Sequence, residues 1–306
     1  MNTMYFRYAL ELASCGSMQK AAERLGVDRS SVSRNIKRLE EELGVRLFFH
    51  TPDGIVPTHF GDICLRHAAD ILQEEDDLLF DFTGAENYTG IIHVGMGINR
   101  SAQFLPLILP EFNRRYPHIS VRLHEMNSTE LNYSLLNGEL QFAITCQPQI
   151  GEDFAFVPLM TERLMLVAAK DDPFPLEHLC MDTPTPYVNL SAFRDKPFIL
   201  GDPAQKSRKV CDDVFEQLGF KPWILLQSQY NRTSILLASQ GIGYALVPSS
   251  IRGTQENLAY YPIDPLLHNS WTIGVTWLKT RRLSHSALQL KQIVVEILKQ
   301  PDINEN

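Results

Sequence analysis

The chain has 306 residues, 44 % hydrophobic and 21 % charged, with 28 Lys+Arg against 36 Asp+Glu and a formal charge of −8. That length asks for two or three domains rather than one core, and the acidic balance excludes a general affinity for polyanions. No apolar run approaches the roughly 20 residues needed to span a bilayer, and no membrane partner is expected.

The opening "MNTMYFRYALELASCGS" carries Arg7 and Glu11 early, not a basic head followed by an apolar block. It does not read as a signal peptide, so a cytoplasmic protein is expected. Cys15, Cys64, Cys146, Cys180 and Cys211 are scattered with no CxxC. The cluster His178–Cys180–Asp182 has the spacing of neither one helical face nor a zinc knuckle. No metal and no cofactor is expected, and the thiols read as reduced and mostly buried. Charge is uneven: Met1 to Gly61 holds eight Lys/Arg and seven Asp/Glu, the remainder 20 and 29. Any nucleic-acid contact must therefore be local.

In chain order, "TMYFRYALELASCG" places Phe6, Ala9, Leu10 and Ala13 on one helical face and stops at Gly16. Ser17 can cap a second helix, "MQKAAERL", which Gly26 ends, and Asp28 a third from Arg29 to about Leu43. Val32, Ile36, Leu39 and Leu43 stripe that third helix; Arg29, Ser30, Ser33, Arg34 and Lys37 fall on its other faces. Two helices joined by "LGVD" have the length and turn chemistry of a helix-turn-helix. Small Ser30, Ser31 and Ser33 would let the helix lie deep in a groove, where Arg29 and Arg34 reach base edges or phosphates and Lys37 a phosphate. Glu40, Glu41 and Glu42 come at the far end, placed to pair with Lys37 and Arg38. A solvated charged face explains the same spacing equally well.

"VRLFFHTPDGIVPTHFG" has a hairpin signature before a capping Thr58. A helix follows from about His59 to Thr83, with Cys64, Ala68, Ile71, Leu78 and Phe82 on one seam and Leu65, Leu72 and Leu79 on another. Two seams exceed what a small domain can cover, so pairing with a second copy through Ile71 and Leu78 is expected, with burial against the following domain as the alternative. From Gly90, "IIHVGMG", "AQFLPLILPEFNRRYP", "ISVRLHEM", "STELNYSLLNG" and "QFAIT" alternate strand and helix, the pattern of parallel α/β structure. "RLMLVAAK", "PFILG", "SRKVCDDVFEQLGF", "WILLQS", "RTSILLASQG" and "YALVP" make a second such unit, and "WTIGVTWL" with the last helix completes the first. "GMGINR" puts Arg100 where a dinucleotide fingerprint needs its third glycine, and no nucleophile or Walker motif occurs.

"GSMQKAAERLGVDRSSVSRNIKRLEEELGVRLF", followed by Thr58 and Gly61, closely resembles the N-terminal signature of LysR-type transcriptional regulators. "FLPLILPEFNRRYPHISVRL", "LLNGELQFAI" and "SQGIGYALVP" resemble the effector domain of the same family. The resemblance implies a multidomain chain. An all-α winged helix-turn-helix (1–58) leads to a long linker helix (59–89). A two-lobed α/β effector domain similar to periplasmic binding proteins follows (90–306), with lobe I at 90–161 and 268–300 and lobe II at 162–267. It implies a homodimer or homotetramer on double-stranded promoter DNA, a small-molecule effector, and RNA polymerase as a further partner. Arg29, Ser30, Ser31, Ser33 and Arg34 would then be groove contacts, with Lys37 on the backbone and His50 in the wing. Arg29 stands where the family usually has glutamine, and His50 and Asp53 where it has arginines. Asp53 cannot attract phosphate, and His50 gains charge only in mild acid.

The effector cleft should lie where strands end and helices begin. Those positions are Asn99, Arg100, Ser101, Ser128 and Thr129 in lobe I, and Gln205, Ser207, Gln229 and Asn231 in lobe II. Each could equally be a helix cap. Arg100, with no obligatory acid legible near it, suggests an anionic effector. Two other classes compete. A redox sensor of the same family would need a partner for Cys211, and only the distant Cys180 offers itself. An α/β enzyme would leave the N-terminal signature unexplained.

Overall fold

The structure, a computed structural model, describes residues 2–52, 54–83, 88–147, 153–251, 253 and 255–299. Asp53 lies outside them. Helices α1 (Thr3–Cys15), α2 (Met18–Leu25) and α3 (Arg29–Leu43) enclose a core of Phe6, Ala9, Leu12, Val32, Ile36 and Leu39, all nearly inaccessible to solvent. Gly26 ends α2 at φ 66, a left-handed turn that a side chain would resist, and so aims α3 across α2. Ser17 and Asp28 occupy the N-cap positions in extended conformation, but neither side chain makes a cap bond. Thr58 does, accepting from the Gly61 N–H at 3.0 Å.

Strands β1 (Phe48–Thr51) and β2 (Gly54–Pro57) form the wing, with His50 opposite Ile55. Glu40 is not a partner for Lys37 or Arg38: its carboxylate accepts from the N–H groups of Leu47 at 2.7 Å and Phe48 at 3.3 Å, tying α3 to the wing. Glu41 is the acid that faces Lys37, at 3.7 Å.

Helix α4 (His59–Thr83) divides its apolar residues. Cys64, Leu65, Ala68 and Leu72 pack on the N-terminal core, and Glu75 takes hydrogen bonds from Thr3 and Arg7. Farther along, buried Asp77 accepts from the backbone N–H of His285 at 2.6 Å, Asp81 meets the imidazole Nδ1 of that residue at 2.9 Å, and Phe80 packs against the next core. Ile71, Leu78, Leu79 and Phe82 remain exposed.

The remaining chain runs β3 (Gly90–Met96), α5 (Ile98–Arg115), β4 (Ile119–Glu125), α6 (Ser128–Asn137), β5 (Phe142–Cys146), β6 (Phe154–Ala169), α7 (Phe174–Glu177), β7 (Leu179–Cys180) and β8 (Tyr187–Val188). It continues through β9 (Pro197–Gly201), α8 (Lys206–Gln217), β10 (Trp223–Ser228), α9 (Asn231–Ser239), β11 (Tyr244–Pro248), β12 (Leu258–Pro262), β13 (Ser270–Leu278) and α10 (His285–Leu298). Among the described residues the long strands order as β10-β9-β11-β6-β13-β5-β3-β4, with β12 also on β6. β3 is parallel to β4 and β5, but β13 is antiparallel to β5 and β6, and β6 to β11. The sheet is therefore mixed: the parallel alternation expected from Gly90 holds in β3, β4 and β5, and the antiparallel strands β6 and β13 join them to the second α/β unit. β6 explains this: its first part pairs with β13 and its last part with β11, so one strand serves both lobes. No helix among the described residues is long and apolar enough to cross a membrane.

Candidate functional site

Two surfaces carry the candidate residues. On α3 the buried stripe Val32–Ile36–Leu39 holds the helix against the core and turns Arg29, Ser30, Ser33, Arg34 and Lys37 outward, with Ser31 half-buried. Arg29 and Arg34 meet no acid and no acceptor among the described residues, leaving both guanidinium groups free for an external anion. His50 is exposed on β1 beside the exposed Phe49, so the wing presents both to solvent.

The second surface is a cavity of about 270 Å³ between the lobes. Helix starts ring it: α5 and α6 from lobe I, α8 and α9 from lobe II. Asn99, Arg100, Ser128, Gln205, Ser207, Gln229 and Asn231 all line it. Ser101 and Thr129 do not. Each successive residue of a helix turns by about 100°, and Ser101 is carried behind the wall, where its hydroxyl donates to the Ile98 carbonyl and to Glu125. Thr129 is exposed, its N–H donating to the capping Asn127 at 3.0 Å.

The lobes are laced together across this cavity. The Asn99 amide donates to the Gln229 carbonyl at 2.9 Å and accepts from the Asn231 N–H at 2.8 Å. Gln205 donates to the same Gln229 carbonyl at 2.7 Å, so Gln229 contributes backbone rather than side chain. Arg100 is not a free cation. Its guanidinium sits 2.9 Å from Glu162, donates to Cys146 Sγ at 3.4 Å, and leaves Nε buried without a partner. Burial opposes the charge on Arg100, but the Glu162 carboxylate and Cys146 outweigh it, holding the pKa above the ordinary guanidinium value. Glu162 also accepts from the Ser250 hydroxyl, and it is fully buried.

Three more carboxylates, Glu125, Glu130 and Asp202, and a second cation, Lys206, stand on the lining. The expectation of a cleft without an acid is thus overturned. Glu162 was legible in part: it shares the strand parity of Leu164, Leu166 and Ala168, all buried, so alternation places it inward. Glu125 and Glu130 flank the predicted Ser128 and Thr129, but their direction depends on how α6 meets β4. Cys211 is buried in α8, and burial pushes its thiol well above the ordinary range; all five cysteines are free.

Comparison with known proteins joins the two surfaces. Residues 5–62 match the family model "Bacterial regulatory helix-turn-helix protein, lysR family", and residues 85–299 match "LysR substrate binding domain". The HTH-type transcriptional regulator YcgK of Bacillus subtilis (strain 168) is 29 % identical, covering 98 % of this chain and 96 % of that protein. The HTH-type transcriptional regulator AlsR of the same organism is 27 % identical, with 90 % of each covered. A full-length OxyR variant from Pseudomonas aeruginosa superposes with a TM-score of 0.71 at 19 % identity, over 100 % of this chain and 99 % of that one. At that identity the likeness speaks for the fold alone. Full-length BenM gives a TM-score of 0.58 at 21 % identity, over 97 % of this chain and 96 % of that one. A helix-turn-helix with two free arginines, a two-lobed domain with a lined cavity and both family matches agree: the chain belongs to the LysR family of transcriptional regulators, DNA-binding proteins that act as oligomers and bind a small effector, and it is not an enzyme.

Proposed function

We propose that this regulator binds promoter DNA as a homo-oligomer, with 1–58 as the DNA-binding unit, 59–89 as the pairing segment and 90–306 as the effector domain. The observation that carries the reading is the pair of exposed, unpartnered guanidinium groups of Arg29 and Arg34 on α3. Ser30, Ser31 and Ser33 keep that face thin enough to enter a groove, Lys37 adds a backbone contact and His50 a wing contact. Exposed Ile71, Leu78, Leu79 and Phe82 favour pairing of two copies along α4. RNA polymerase is then the further partner at the promoter.

The effector, in this reading, is a small carboxylate-bearing molecule held between the lobes. Support comes from the Ser128 and Ser207 hydroxyls, Lys206, the remaining N–H groups of Arg100 and the helix starts around the cavity. The redox alternative draws no support from Cys211, whose burial disfavours the reactive thiolate. Fluorescence anisotropy with DNA from upstream of the chain's own gene and with random DNA tests the proposal. Preference for the upstream DNA, lost on Arg34→Ala, is expected; equal affinity for both DNAs in moderate salt would refute it.

A further inference from the structure

The charges on the cleft do not suit a purely anionic guest. Glu162 already neutralises Arg100, leaving Lys206 as the other cation on the lining against Glu125, Glu130 and Asp202. Those groups are also sorted by lobe. Glu125 ends β4 and Glu130 stands in the first turn of α6, both on lobe I. Opposite them α8 opens with Lys206 and Ser207. Its N-cap residue Gln205 makes no side-chain cap bond, and no acceptor among the described residues meets the first N–H groups of the helix. Each of these carboxylates also holds a local bond: Glu125 accepts from the Ser101 hydroxyl, Glu130 from the Asn127 N–H at 3.0 Å and Asp202, on the α8 side, from the Ala204 N–H at 2.9 Å. Two of the three acids thus stand on lobe I, while lobe II presents Lys206 and the open N–H groups of α8 beside the single acid Asp202.

A third observation points to a polar ligand. Asn231 is 3 % exposed and lines the cavity, and its side-chain amide has no hydrogen-bond partner among the described residues. Its backbone N–H is fixed by Asn99, so the amide is held in place as a ready donor and acceptor. Facing the cavity rather than sealed behind it, that amide can be completed there by a ligand's donor and acceptor. At about 270 Å³ the cavity falls below the ~300–1,000 Å³ of drug-sized sites, so the guest is small.

We infer that the effector is a small zwitterion, a free amino acid or a close relative. Its ammonium faces Glu125 and Glu130 on lobe I, and its carboxylate faces the start of α8 with Ser207 and Lys206 on lobe II. The inference rests on the effector cleft proposed above and adds the ammonium group. Spanning both walls, such a ligand makes contacts that exist only when the lobes are close, which is the differential binding a switch requires.

Calorimetry on the full-length protein tests this. Each proteinogenic amino acid is titrated beside its 2-hydroxy acid, which lacks the ammonium, and its decarboxylated amine, which lacks the carboxylate. At least one amino acid should bind, with both analogues weaker by about tenfold or more. Glu130→Gln keeps the capping geometry and Glu125→Gln keeps an acceptor for Ser101. Each should shrink the preference for amino over hydroxy acid, with the melting temperature unchanged. Lys206→Met should weaken amino and hydroxy acid alike. A hydroxy acid that binds as tightly as its amino acid, with both glutamine variants indifferent, overturns the zwitterion but leaves a carboxylate effector in the cleft. Silence from every amino acid at millimolar concentration also overturns it. Binding untouched by Asn231→Ala with Ser207→Ala would place the ligand elsewhere and remove the cleft reading as well.

Discussion

Arg100 and Glu162 meet at 2.9 Å behind the cleft wall, on side chains 13 % and 1 % exposed. A pair this buried is costly to break from one side, because the remaining charge loses both water and partner. Glu162→Ala should cost about 3–5 kcal/mol of stability, whereas Arg100→Met with Glu162→Leu should recover much of that loss. Urea unfolding of the three proteins measures this. A single variant close to wild type would mean that the pair stays hydrated.

On DNA, Arg34→Ala should cost about 1–3 kcal/mol on the specific site and relax discrimination there. Lys37, exposed and only loosely held by Glu41 at 3.7 Å, should behave differently. Lys37→Ala is expected to weaken all sequences alike and flatten the salt dependence by about one unit. Anisotropy titrations across a salt series separate the two. Equal losses on specific and random DNA for Arg34→Ala would make it a phosphate contact.

Along α4, Ile71 and Leu78 are 38 % and 57 % exposed in the single chain, while Cys64, Ala68 and Leu72 are already used on the N-terminal core. Replacing both exposed residues with Glu should dissociate the oligomer, since burying uncompensated charge in a helix pair is prohibitive. Light scattering that still reports the oligomer would place the interface elsewhere. Specific DNA affinity should fall in parallel, because two half-sites need two recognition helices.

Stability should also depend on mild acid through His93. Its Nδ1 lies 3.0 Å from His124 Nε2, with Arg122 and Arg24 adding positive charge and Glu11 opposing them; Glu139 faces His124. Burial first, then His124 and Arg122, push His93 down from 6.5 to about 4. The unfolded chain therefore binds the proton first. The stabilisation is complete above 6.5 and is lost as the pH falls toward 4. His93→Gln should flatten the melting temperature across that window, as followed by thermal unfolding at stepped pH. An unchanged slope would assign the acid sensitivity to other groups.

The N-terminal unit was largely legible because glycine stops and a 3.6-residue stripe are local signals. Gly16, Gly26 and Gly44 end the helices where the sequence placed the breaks. The sheet was less so. Pro158 hides the unity of β6, since a proline argues against a central strand. The fold accommodates it where the register with β13 shifts between Ile273 and Gly274. At the cleft, strand-to-helix junctions picked out Asn99, Ser128 and Asn231, but not which junction residues look inward. Ser101 turns behind the wall, and Arg100 meets an acid 62 residues away in sequence, a pairing that no local pattern announces.

Helix α4 is one rod, 25 residues long, or about 37 Å at the rise of an α-helix. It is clasped near its far end by two carboxylates one turn apart, Asp77 and Asp81, on the first residue of α10. Clasped there, the rod works as a lever. A tilt of about 5° at α10 swings the other end by about 3 Å, close to the ~3.4 Å between stacked nucleotides of one strand. If α3 reads DNA as proposed, a tilt that small would be enough to carry it one step along a duplex: the mechanical advantage lies in the length of α4.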